Sequence, residues 1–223
     1  MTQVAIGKPI KAVLFDKDGT IFDSEKIYCE SWVHSAKAFN VHFTAQMYDQ
    51  FVGVRATECY QRAQAMFGDD FPMDEFIRHN RDYIDQQKRA GVPLKPGFKS
   101  FFDRLLLTNV PIALVTSSAR DAAILSFSRT EYLNHFDAFI TGDQVEHAKP
   151  APDCYLLACE QLNVKPENCL VFEDSTAGVT AAVAAGCQTV AIPDYLPLPA
   201  DLLNQCAYVF DSFEDAHFLL DNI

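Results

Sequence analysis

Two carboxylates one residue apart open the chemistry of this chain. Asp16 and Asp18 stand in the run Asp16-Lys17-Asp18-Gly19-Thr20, with Asp23 shortly after. The run follows the apolar stretch Ala12-Val13-Leu14-Phe15, so both side chains can leave a strand end toward one small volume. Two ionised carboxylates held that close repel each other unless a cation joins them. Oxygen ligands of this kind suit Mg²⁺. The same residues also serve a plain Asp/Gly turn.

Three further groups stand in similar places. Glu173-Asp174 follows Cys169-Leu170-Val171-Phe172 and precedes an Ala-rich segment. If the two strands are neighbours, three or four carboxylates converge; taken alone, the pair is an acidic helix start facing the helix dipole. Thr116-Ser117-Ser118 follows Ile112-Ala113-Leu114-Val115. Hydroxyls and N–H groups entering a helix there make an anion cradle, or simply an N-cap. Lys149 is a lone cation in the Pro-stiffened loop His147-Ala148-Lys149-Pro150-Ala151-Pro152, and by itself it reads as a solvated surface lysine.

The elements that position these groups follow from hydrophobic patterning. Four short apolar runs, 12–15, 112–115, 169–172 and 189–192, lack alternation, as strands buried on both faces do; 138–141 is a fifth of the same type. Helix-period segments lie between them: 98–107 after Pro96-Gly97, 152–162 beginning at a proline, and 175–185 ending at Gly186. Strand and helix alternate as in an α/β doubly wound parallel sheet. The region from about Ser24 to Gly91 breaks that rhythm. Its apolar residues recur at helical spacing through 28–39, 47–52, 59–67 and 76–84, too much helix for one crossover. It reads as a small all-helical insert over the sheet end where open α/β folds bind ligands. Trp32 and Phe39 share a helical face and read as the core of that insert. The tail 213–223 reads as an amphipathic closing helix.

Composition bounds the rest. A chain of 223 residues and 25.0 kDa holds one medium domain, or a main domain with a smaller insert. Eighteen basic against 30 acidic residues give a formal charge of −12, which repels phosphate backbones and argues against a nucleic-acid partner. The acids include 20 Asp, the shorter carboxylate, though most must lie on the surface. The seven cysteines form no CxxC pair, so they read as reduced thiols in the core. The six histidines are scattered and suggest no zinc site. No signal peptide and no membrane span is expected, which points to the cytoplasm.

An acid pair, a hydroxyl cradle, a lysine and a second acid pair at successive strand ends resemble the haloacid dehalogenase-like hydrolase superfamily. The resemblance covers nearly the whole chain, and the stretch from Cys169 through Gly178 looks like the branch of β-phosphoglucomutase and sugar-phosphate phosphatases. It implies a Rossmann-like core domain over 1–22 and 95–223, with a helical cap over 23–94. It implies Asp16 as nucleophile, forming an aspartyl-phosphate, and Asp18 as acid/base whose backbone carbonyl also touches the metal. Thr116 and the Ser117 N–H would hold the transferring phosphoryl group, and Lys149 would neutralise charge. Mg²⁺ would be held by Asp16, Asp18, Asp174 and Glu173, the last directly or through water. A dehalogenase needs no second acid, so Asp18 favours phosphoryl transfer.

The cap chooses the substrate. Where the mutase branch carries a histidine that works with the acid/base, this chain has Tyr28. The Arg of Gly53-Val54-Arg55 comes earlier than the mutase's and looks closer to the sugar-phosphate phosphatases; it could also be a surface arginine at a helix start. The expected function is a Mg²⁺-dependent phosphatase of a small phosphorylated metabolite, a sugar or sugar-alcohol monophosphate, acting as a monomer without nucleic acid or membrane. The alternatives are a phosphomutase on the same fold and a non-catalytic sensor of a phosphorylated ligand.

Overall fold

The computed structural model describes residues 8–52, 54 and 56–223. Six strands form one parallel sheet: β1 (Ala12–Phe15), β2 (Ile112–Val115), β3 (Ala138–Ile140), β4 (Cys169–Glu173), β5 (Gln188–Ala191) and β6 (Tyr208–Val209), in the order β3-β2-β1-β4-β5-β6. The first strand is therefore central, with Phe15 opposite Leu114 on one side and Phe172 on the other. Its neighbours β2 and β4 carry the hydroxyl run and the second acid pair, so topology alone gathers three of the four sequence groups around one strand end.

The three central strands, β2, β1 and β4, bury both faces. Val13, Phe15, Leu114, Leu170 and Phe172 point into a phenylalanine-rich layer with Phe98, Phe101, Phe102 and Phe213. Ala12, Leu14, Ala113, Val115 and Val171 point into a tighter layer with Tyr155, Ala158, Ala181 and Ala182. Helix α5 (Phe98–Leu105) covers the first face; α7 (Asp153–Gln161) and α8 (Thr176–Ala184) cover the second. The phenylalanine layer supplies bulk through edge-on and stacked rings, such as Phe15 on Phe172 at 5.2 Å. The alanines opposite let helices approach closely.

Between β1 and α5 lie α1 (Glu25–Ala38), α2 (Ala45–Tyr48), α3 (Ala56–Phe67) and α4 (Met73–Ala90). They share an apolar cluster of their own, in which Trp32 packs on Phe43, Phe51 and Phe76 with ring centroids 4.8–5.4 Å apart and Phe39 packs against its edge. The chain enters and leaves this insert side by side. Asp23 N–H donates to Pro93 O (2.9 Å), Lys95 N–H donates to Ile21 O (2.9 Å), and Phe22 pairs antiparallel with Leu94.

The remaining differences from the expected elements are local. The tail coils as a 3₁₀ helix over Phe213–Asn222, not as an α-helix. Its fully buried residues Phe213, Ala216 and Leu219 recur every third position, with Leu220 buried next to the last, and a three-residue turn places them on one side. The two-residue edge strand β6 and the short helix α9 (Ala200–Leu203) have too few residues to show a period. Helix α6 (Arg120–Ser126) begins two residues past Ser118, because the Thr116 hydroxyl accepts the Ser118 N–H (3.1 Å) and closes a side-chain turn. Thr116–Ser118 is thus a turn before the helix rather than its N-cap. Among the described residues no helix is long and apolar enough to cross a membrane, and all seven cysteines are free thiols.

Candidate active site

Asp16 leaves the end of β1 almost buried, 8% exposed, with its N–H bonded to Phe172 O. Lys149 reaches it from the loop before α7. The Lys149 ammonium donates to Asp16 Oδ1 (2.5 Å), Glu173 Oε1 (2.7 Å) and the Val115 carbonyl (3.2 Å), which uses all three of its protons. The lysine that sequence alone would leave on the surface is 9% exposed and ties together β1, β2 and β4. Burial works against its charge, but the Asp16 and Glu173 carboxylates outweigh burial and hold its pKa above the ordinary range.

Glu173, the last residue of β4, is fully buried. Its Oε1 also accepts from the Tyr155 hydroxyl (2.6 Å), and its Oε2 accepts from Asp174 N–H (3.1 Å), Ser175 N–H (3.3 Å) and Ser175 Oγ (3.2 Å). Ser175 in turn caps α8 by accepting from Gly178 N–H (3.0 Å). Gly178 is a glycine because a Cβ there would lie 1.8 Å from Glu173 Oε1. Gly19 has the same reason on the other flank: at φ +83°, its Cβ would meet Asp174 Oδ2 at 2.2 Å.

Oxygens of Asp16, Glu173 and Asp174 lie within 4.8 Å of one another and could hold a metal ion. Burial, opposed by Lys149, raises the Asp16 pKa to about 7. Burial and the neighbouring Glu173 and Asp16 charges push Asp174 well above the carboxylate range, against one hydrogen bond from Thr20 Oγ1 (2.9 Å). One ammonium among three acids, two of them buried, leaves an excess of negative charge, and the donors are all carboxylate oxygens. A hard divalent cation fits both conditions.

Asp18 sits apart from that group, and its carboxylate is held elsewhere. Oδ1 accepts from Ser24 Oγ (2.9 Å) and the Tyr28 hydroxyl (3.0 Å); Oδ2 accepts from Ser118 Oγ (3.0 Å) and pairs with the fully buried Lys17 ammonium (2.5 Å). A second buried lysine, Lys88 at the end of α4, stands over the Tyr28 ring (5.4 Å) and donates to Ala122 O (3.3 Å). Burial raises the Asp18 pKa, yet Lys17, then Lys88, outweigh burial and hold the group well below its usual range. Its side chain is thus held by partners outside the three-carboxylate group.

Thr116 is buried beside Val115, whose carbonyl receives Lys149, while Ser117 is exposed at the rim. Arg55 and Gly53 lie outside the described residues. Ser118 belonged to the hydroxyl run read from the sequence, but sequence reasoning singled out neither Ser24, Lys17 and Lys88 around Asp18 nor Tyr155 and Thr20 behind the other acids. Lys17 and Thr20 were inside the first motif and open to notice. Tyr155 and Lys88 carry no local signal, since each meets its partner only through the fold.

A parallel α/β sheet that gathers buried carboxylates, an ammonium and hydroxyls at the C-terminal edge of its central strands defines an enzyme of the phosphohydrolase type. The chain belongs to the haloacid dehalogenase-like hydrolase family, whose model matches residues 13–192, in the branch of phosphatases and phosphoglucomutases. It is 30% identical over 184 residues to a phosphorylated carbohydrates phosphatase of Thermotoga maritima, covering 81% of this chain and 84% of that one. It is 30% identical over 202 residues to the beta-phosphoglucomutase of Bacillus subtilis, covering 87% and 88%. A haloacid dehalogenase family hydrolase from Deinococcus radiodurans, solved with bound phosphate and sodium, superposes with a TM-score of 0.78 at 26% identity over 96% of each chain.

Proposed function

We propose that this protein is a Mg²⁺-dependent phosphatase that hydrolyses a small phosphorylated metabolite, a sugar or sugar-alcohol monophosphate, through an aspartyl-phosphate. One observation carries the reading: Lys149 pins a single oxygen of Asp16, leaving the other to attack. Asp16 Oδ2 forms a bond to phosphorus while the ester oxygen departs with a proton from Asp18. Water then attacks the aspartyl-phosphate, Asp18 takes its proton, and phosphate and the Asp16 carboxylate are restored. In the free protein, against burial, the Lys17 and Lys88 charges hold Asp18 ionised; the negative charge of a bound phosphoryl group would raise its pKa and let it enter the first half as the acid. Lys149 keeps Asp16 oriented and offsets charge on the transferring group. Thr116 and the Ser117 N–H hold that group, and Arg55 is the further residue we assign to substrate binding.

Asp16 and Asp174 would hold Mg²⁺, with the Asp18 carbonyl. Glu173, whose oxygens are already engaged by five donors, would act through water. When bound, the ion neutralises the excess charge of the carboxylates and draws electron density from the phosphoryl oxygens. We assign 1–22 and 95–223 to a core domain and 23–94 to a cap, because the helices between β1 and α5 have their own apolar cluster and join the core through two paired crossings. Seven free thiols fit a monomer working in the cytoplasm.

The test is phosphate release from sugar, polyol and nucleotide monophosphates, with Mg²⁺ and with EDTA, beside Asp16→Asn. Release that needs Mg²⁺ and vanishes in the variant supports the phosphatase. Isomerised product that depends on a hexose bisphosphate supports the mutase, a reading favoured by the Bacillus relative and disfavoured by Tyr28. Ligand-induced thermal shift without turnover supports the sensor.

A further inference from the structure

Helix α1 points more than Tyr28 at the catalytic end. Ser24, just before the helix, and Tyr28, in its first turn, both donate to Asp18 Oδ1. Glu25 lies between them in sequence and three positions before Tyr28, so it shares a helical face with Tyr28 and looks into the same space. Its Oε1 accepts from the Tyr48 hydroxyl (3.0 Å). Tyr48 is itself buried, against Phe51 and edge-on to Tyr195 of the core at 6.2 Å. The carboxyl is thereby fixed from behind at the seam between insert and core. Among the described residues its other oxygen, Oε2, takes no hydrogen bond, and no cation lies within ion-pair distance of it. Burial first, and then the fields of Asp18 and Asp194 against the pull of Tyr48, raise its pKa to about 7.

A group in that position is a poor neighbour for an anion and a good acceptor for a hydroxyl. A second phosphate or a carboxylate placed there would meet the unpaired Glu25 carboxylate, while Asp18 and Asp194 beside it are already paired with Lys17 and Lys95. A neutral alcohol would hydrogen-bond Oε2 without bringing charge. We propose that Glu25, oriented by Tyr48, is a specificity-determining residue that accepts a hydrogen bond from a hydroxyl of the leaving group and selects neutral polyol monophosphates over substrates carrying a second anionic group. The inference rests on the phosphatase reading and narrows its substrate class.

The experiment compares kcat/KM on three probes: a hexitol monophosphate, p-nitrophenyl phosphate, which has no hydroxyl to offer, and phosphoglycolate, which carries a second anion. Glu25→Ala and Tyr48→Phe are expected to lower kcat/KM on the hexitol phosphate by roughly 10- to 100-fold and on p-nitrophenyl phosphate by less than about 3-fold. Glu25→Gln, which keeps the shape and an acceptor but no charge, is expected to retain most of the hexitol activity and to gain on phosphoglycolate. Equal losses on both neutral and hydroxyl-free probes would make Glu25 a structural residue and overturn the proposal, as would full hexitol activity in Glu25→Ala. Absence of phosphate release from all three probes by the unaltered protein would remove the phosphatase reading, and this inference with it.

Discussion

Asp16 and Asp18 are the same residue in the same loop, yet their surroundings are opposite. Around Asp16 acids outnumber cations: Asp16 and Glu173 share one ammonium with Asp174 beside them, and the Asp16 pKa rises to about 7. Around Asp18 donors are in excess, with two hydroxyls on one oxygen, a third hydroxyl and an ammonium on the other, and the pKa falls well below the ordinary value. Two carboxylates pushed in opposite directions by their neighbours can take different tasks in one reaction. The first environment calls for a cation, and the second holds its carboxylate ionised.

Four changes test that contrast. Asp16→Asn leaves the cluster in place but removes the attacking oxygen's charge; turnover is expected to fall by about 10⁴-fold or more, measured as phosphate release, and retained turnover would move the nucleophile elsewhere. Lys149→Met leaves Asp16 and Glu173 facing each other inside the protein. It is expected to cost about 3–5 kcal/mol in urea unfolding and roughly 10²- to 10³-fold in kcat; unchanged stability would mean that the acids do not depend on the ammonium. Gly178→Ala places a methyl against Glu173, with an expected loss of about 1–3 kcal/mol and a weaker Mg²⁺ response, read by titrating the metal. Tyr28→Phe is the mildest. It removes one of four partners that favour the charged Asp18, so the Asp18 pKa must rise, and the limb of the kcat/KM pH profile on which Asp18 titrates should move to higher pH. A limb that stays put would show that Lys17 and Lys88 alone set the second environment.

The first environment was far more legible in the sequence than the second. Asp16 and the Glu173-Asp174 pair each end an apolar run, and parallel strands place their ends together, so pattern and topology agree. Strands 12–15 and 112–115 match their predicted limits, and 169–172 extends by one residue to include Glu173. Asp18's partners were not legible in the same way. Ser118 is 100 residues from Asp18, and Lys88 comes from the last turn of the insert. Nothing in a local window marks a lysine that will be buried by a helix from another part of the chain. Lys149 shows the same limit from the other side, since its motif was visible but its burial was not.

The paired crossing at Ile21–Asp23 and Pro93–Lys95 also bears on how such a protein can change. Two backbones already hydrogen-bonded across that seam stand one strand spacing apart, about 5 Å. A different helical bundle, or a short turn alone, could therefore be spliced there without stretching the sheet. An exchange at that junction would leave Asp16, Lys149, Glu173 and Asp174 on the sheet in place while replacing Glu25 and Tyr48 together with Ser24, Tyr28 and Lys88 beside Asp18.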